Sequence, residues 1–161
     1  MTVVEYNTCV DKYSDGVFRF ILKNIRDEEM AKDIVQDSFF KMWEKVRQIN
    51  FEKARSYLFT TAYHNMIDMI RREKRINEFN NTNCNELVVE HSYSDLKEIL
   101  DEAVCKLPDI QRSVLLLRDY EGYSYDEIGD ITGLNESQVK VYIYRARIFM
   151  KEYIGSLDRV V

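Results

Sequence analysis

The scarcity of turn-forming residues constrains this chain most: one proline and five glycines serve 161 residues. Sandwiches and barrels of many short strands need turn residues at close intervals, whereas long helices need few. The glycines (Gly16, Gly122, Gly129, Gly133 and Gly155) are scattered and form no phosphate-binding loop. Apolar residues at 45% can fill cores, and charged residues at 32% keep the surface solvated. No apolar run approaches the ~20 residues that cross a bilayer. The polar start (Glu5, Asn7, Asp11) does not read as a signal peptide. Cys9, Cys84 and Cys105 are an odd number without a CxxC pair, which suggests neither a disulfide framework nor a zinc ribbon. The expectation is a reduced, cytoplasmic, all-α protein.

Apolar spacing divides the first half into three helices. Val10, Tyr13, Val17, Phe20, Ile21 and Ile25 mark the first. Asp27 reads as the N-cap of the second, with Glu28 and Glu29 in its first turn, followed by a stripe of Met30, Ile34, Val35, Phe39, Met42 and Val46. Phe40 falls off that stripe. A third helix is expected over 52–75. In the second half, Leu96–Leu107 positions repeat at helical period up to Pro108, and Asp109 is placed to cap a helix over 110–120. Ser124 with Glu127 is a capping box opening a short helix over 125–132, ended by Gly133. Asn135 then caps a last helix running to about Tyr153. Between the halves, 77–94 carries clustered asparagines without sustained periodicity.

Charge follows the same division. Net charge is −5 over the chain, yet residues 1–77 hold 14 bases against 12 acids, and 78–104 hold seven acids against Lys97 alone. Two small helical domains (1–77 and 95–161) joined by a flexible acidic linker (78–94) are therefore expected. The overall acidity argues against nucleic acid only on average, because patches act separately.

The sharpest local pattern spans 124–147: a short capped helix, a glycine turn and a second capped helix, the plan of a helix-turn-helix. On its last helix Val139, Ile143, Ala146 and Met150 form the inward face, leaving Ser137, Lys140, Val141, Tyr144 and Arg145 largely on the other. Donors on that side suit base edges and phosphates, which mostly accept. The same features also fit an ordinary helical hairpin with solvated bases. The third helix combines Lys53, Arg55, Arg71, Arg72, Lys74 and Arg75 with Tyr57, Phe59 and Tyr63. Such a mixture suits unpaired DNA, although aromatics on a helix are more often core. Neither histidine, His64 or His91, has acid or cysteine partners at metal-ligand spacing, and no catalytic arrangement or cofactor motif stands out.

In this order and spacing, these segments resemble the extracytoplasmic-function group of the sigma-70 family of bacterial RNA polymerase sigma factors. Asp33-Ile34-Val35-Gln36-Asp37-Ser38-Phe39 is similar to the helix that docks on the clamp helices of polymerase's largest subunit. Arg55-Ser56-Tyr57-Leu58-Phe59 and Asp68-Met69-Ile70-Arg71-Arg72 resemble the segment that melts the minus-ten element. Leu107-Pro108-Asp109-Ile110-Gln111-Arg112 and the stretch 117–128 look like the start of the fourth region, and Val139-Lys140 with Arg145-Ala146-Arg147 like the minus-thirty-five recognition helix.

The resemblance implies a non-enzymatic factor without cofactor or metal, partnered by core RNA polymerase, promoter DNA and an anti-sigma factor. It implies polymerase contacts at Asp33, Gln36, Asp37 and Phe40. Minus-ten contacts fall at Arg55, Tyr57, His64, Arg71 and Arg72, and minus-thirty-five contacts at Ser137, Lys140, Val141, Tyr144 and Arg145. His64 stands where the family usually has Asn, Gly129 where it has Ala, and Val141 and Tyr142 where Ser and Arg are common. Gly129 is expected to cost up to ~1 kcal/mol of helix propensity. A stand-alone helix-turn-helix regulator and a small helical nucleic-acid hydrolase are the alternatives.

Overall fold

In a computed structural model, residues 1–76 and 96–158 are described, with side chains of 1–75 and 96–156. The linker expected over 78–94 lies outside the described residues. These contain seven α-helices and no strand: α1 Val3–Ile25, α2 Glu28–Glu44, α3 Ala54–Ile76, α4 Leu96–Lys106, α5 Asp109–Leu115, α6 Tyr125–Thr132 and α7 Glu136–Asp158. The protein is all-α. Its chain divides into two compact units, α1–α3 forming the first and α4, α5 and α7 the body of the second.

In the first unit each helix packs against the other two. Asp27 caps α2 by accepting from the Met30 amide at 3.2 Å, as its place before the apolar stripe predicts. Val17, Phe20 and Ile21 of α1, Ile34 and Met42 of α2, and Leu58, Phe59 and Met66 of α3 are buried. Phe20 and Phe59 set their rings 5.6 Å apart in this core. Because α3 is flanked by both other helices, its buried arc is wide and takes in Phe59 and Tyr63. Of the three aromatics on this helix, Phe59 and Tyr63 are thus core, the commoner reading, and only Tyr57 is half-exposed.

In the second unit α4 and α5 pack on α7. Arg112 is the polar centre of the α4–α5 corner. Its guanidinium, 9% exposed, donates to the carbonyls of Val104 (3.0 Å), Cys105 (2.8 Å) and Leu107 (2.6 Å), and to Asp109 Oδ1 (3.1 Å). The Val104 and Cys105 carbonyls belong to the last turn of α4, where a helix runs short of amide donors, although the Val104 oxygen also accepts from the Leu107 amide at 3.2 Å. Asp109 is consequently occupied by Arg112, and Pro108 rather than Asp109 stands at the N-cap of α5. Past α5 the helix widens into a π-turn over Leu116–Tyr120, and α7 runs on to Asp158, beyond the Tyr153 end expected. Cys9 is a free, buried thiol.

Candidate nucleic-acid and polymerase interfaces

The helix-turn-helix is assembled by local chemistry. Ser124 accepts from the Glu127 amide (3.2 Å), and the Ser124 amide donates to Glu127 Oε1 (3.3 Å). Asn135 and Gln138 repeat the reciprocal bond at the start of α7, at 2.8 and 3.0 Å. Between the helices Gly133 takes φ +80, the left-handed conformation that a Cβ disfavours. Gly129 has a different reason to be glycine. A Cβ there would stand 2.7 Å from the Leu134 carbonyl oxygen, so the turn closes onto bare backbone. The expected propensity loss is thus the counterpart of a close α6-to-turn approach.

On α7, Val139, Ile143 and Ala146 are at most 1% exposed, and Ser137, Lys140, Val141, Tyr144 and Arg145 are all exposed. The five are not equivalent. Lys140 pairs with Glu136 at 3.3 Å and lies over the Tyr125 ring at 5.7 Å. Arg145 makes no hydrogen bond or ion pair with any described residue. The brace to the rest of the unit is Arg147, whose Nη2 donates to Asp119 Oδ1 at 2.6 Å. That hydrogen bond chiefly raises the Arg147 pKa above the ordinary arginine value, against the opposing effect of burial.

On α3 the expected residues separate. Tyr57, His64 and Arg71 recur every seven residues and share one side of the helix, with Arg75 in line. Arg55 is turned away and lies 5.3 Å from the centre of the Phe59 ring; Arg72 is exposed near the edge. Tyr57 also borders an open cleft of about 420 Å³ with Lys45, Gln48, Ile49, Asn50 and Lys53. The Met1 nitrogen donates to the Val46 and Ile49 carbonyls at 2.7 and 3.0 Å, holding the wall of that cleft. Lys53 and Tyr57 are among the bases and aromatics already singled out for unpaired DNA, but Lys45, Gln48, Ile49 and Asn50 beside them escaped the sequence reading.

On α2, Asp33, Gln36 and Phe40 point outward together, Phe40 at 57% exposure while Phe39 is buried. Asp37 sits at the border with α3. Its Oδ2 accepts from Asn65 Nδ2 at 2.9 Å and pairs with Lys41 at 3.2 Å; Lys41 in turn donates to Asn65 Oδ1 at 2.8 Å. Trp43, one turn beyond Phe40, is 43% exposed with its ring edge-on to Tyr6 at 4.9 Å. Four residues after Phe39 and three before Val46, Trp43 fits the spacing of the inward stripe, which hid its exposure from the sequence reading. Exposed Glu29, Asp33 and Glu44 make this aromatic face acidic.

No described helix is long and apolar enough to cross a membrane, and no group of three or more His, Cys, Asp or Glu able to hold a metal ion occurs among the described residues. Comparison with known proteins matches "Sigma-70 region 2" over residues 9–76 and "Sigma-70, region 4" over 97–150. The RNA polymerase sigma factor YlaC of Bacillus subtilis is 28% identical over 151 residues, covering 88% of this chain and 87% of that one. The ECF RNA polymerase sigma factor SigM of the same organism is 26% identical, with 86% and 88% covered. Among solved structures, the sigma factor RpoE in complex with the anti-sigma factor NepR from Bartonella quintana superposes with a TM-score of 0.81 at 19% identity, over 95% of this chain and 98% of that one. With two family regions in the expected order and full-length relatives of one kind, the chain belongs to the extracytoplasmic-function group of the sigma-70 family and is a transcription-initiation sigma factor.

Proposed function

We propose that this sigma factor uses three separate faces. The outward side of α2 (Asp33, Gln36, Phe40 and Trp43, with Asp37 at its edge) docks on the clamp helices of core RNA polymerase. The Tyr57–His64–Arg71 side of α3 tracks the melted minus-ten strand, Arg72 adding charge and Arg55 bracing the helix, and the adjoining cleft takes an unpaired base. The outer side of α7 reads the minus-thirty-five element through Ser137, Lys140, Val141, Tyr144 and Arg145. The domains extend over 1–77 and 95–161, and 78–94 is the acidic linker. The factor acts in the cytoplasm and contributes no bond-making chemistry of its own, which polymerase supplies.

One observation carries this reading: α7 buries Val139, Ile143 and Ala146 and leaves all five expected DNA residues exposed. An anti-sigma factor is proposed as a further partner, because solved sigma factors of similar fold are complexed with one. Run-off transcription with purified core polymerase on genomic templates tests the reading. Start sites sharing paired upstream elements, lost on Arg145→Ala while polymerase binding persists, are the expected result. Sub-micromolar specific duplex binding by the free chain, with no dependence on polymerase, would favour a stand-alone regulator.

A further inference from the structure

We infer that Val141 reads a thymine in the upstream element through its C5 methyl group, an assignment that rests on the placement of α7 in DNA proposed above. The middle of the outer side of α7 is not basic. Ser137, Val141, Tyr144 and Ile148 follow one another at spacings of four, three and four, and the last three are 44%, 67% and 39% exposed. The cations stand to either side, and two of them are engaged: Lys140 with Glu136, Arg147 with Asp119. A surface entering the major groove this way meets base edges first with methyl and ring carbons. The thymine methyl is the one apolar group those edges present.

Within the stripe Val141 is best placed. It lies in the second turn of α7, where recognition helices reach the bases, whereas Ile148 lies two turns further on. A β-branched side chain on a helix is held near one rotamer, so its methyls cannot swing aside for a cytosine or adenine amino group. That amino group would lose water without gaining an acceptor. Arg145, with no hydrogen-bond or ion-pair partner among the described residues, supplies donors to a neighbouring base or phosphate.

The test uses holoenzyme and a promoter fragment obtained from the run-off experiment, with each thymine of the upstream element replaced singly by deoxyuridine. Open-complex formation by the native protein should fall about fourfold at one thymine, the effect of one methyl withdrawn from contact. Val141→Ala should make the thymine and deoxyuridine templates equivalent, with its melting temperature unchanged because the side chain is exposed. Indifference of the native holoenzyme to every replacement, or an undiminished ratio in Val141→Ala, overturns the inference while leaving upstream reading intact. Indifference to scrambling the whole upstream element defeats both.

Discussion

Asp119, in the π-turn after α5, grips Arg147 of α7 with both carboxylate oxygens, at 2.6 Å to Nη2 and 3.3 Å to Nε. The widened turn thus supplies an anchor for the helix whose far side faces outward. Arg145, two residues earlier, has no such tie among the described residues. Stabilising and reading roles therefore fall on different arginines of the Arg145-Ala146-Arg147 sequence.

Both partners of that pair are more than a third exposed, so solvent screens it and its worth is at most about 1 kcal/mol. A double-mutant cycle with Asp119→Ala and Arg147→Ala, read by denaturant unfolding, should return a coupling of that size. Arg145→Ala should leave unfolding unchanged while lowering transcription from promoters with an intact upstream element. A stability loss in Arg145→Ala equal to that in Arg147→Ala would cancel the distinction.

Arg112 offers the opposite case. Its guanidinium is buried and meets three main-chain carbonyls in a fixed fork that an ammonium cannot copy. Arg112→Lys and Arg112→Met should each cost on the order of 2–4 kcal/mol, from buried carbonyls left short of donors. Urea unfolding measures this, and a loss under 1 kcal/mol for Arg112→Lys would show that the fork is dispensable.

Gly129→Ala sets two effects against each other. Alanine favours a helix by up to about 1 kcal/mol over glycine. The added methyl would meet backbone oxygen at 2.7 Å, and such overpacking costs about 1–3 kcal/mol. We expect net destabilisation; a rise in melting temperature would mean that the turn yields without cost.

Phe40→Ala should weaken core-polymerase capture roughly thirtyfold, the mark of a buried aromatic anchor, without lowering the melting temperature. Trp43→Ala should weaken capture as well and also lower stability, because Tyr6 loses its ring contact. Equal polymerase affinity for native protein and Phe40→Ala would remove α2 from the interface.

Stability should decline in alkali. Burial is the first cause raising the pKa of Cys9, Tyr6 and Tyr120; Glu5, Cys9 and Asp101, respectively, add to it. Each group is neutral when protonated, so a raised folded-state pKa stabilises fully below the unfolded value and is lost as pH rises through the folded one. The ordinary values are 9.0 for the thiol and 10.0 for the phenols. Melting temperature should therefore hold below about pH 9 and fall above it. Cys9→Ala should flatten the first part of that fall, and a superimposable curve would exonerate the thiol.

What the sequence made legible was what short-range physics decides. The Asp27 cap, the Ser124–Glu127 box, the Gly133 turn and the inward side of α7 each depend on residues within one or two helical turns. What stayed open or was misplaced depends on contacts between elements. Phe59 and Tyr63 are core, the commoner of the two readings their pattern allowed, because α3 is covered by two neighbours. Asp109 gives its carboxylate to Arg112 and stands inside α5 rather than capping it, a pairing that the cap pattern does not show. The cleft beside Tyr57 joins the 45–53 connection to α3 and has no periodic signature.

The Gly129–Leu134 approach has a consequence for exchange between relatives. Recognition helices are convenient units to transplant, on the assumption that the scaffold presents any of them alike. Here the seat of α7 depends on a methyl group missing from the preceding helix. A donor helix grafted after Asn135 would inherit this tighter seat, and α7 moved into a relative with alanine at that position would be presented one methyl further out. Swapped specificity should therefore follow only when residue 129 travels with the helix.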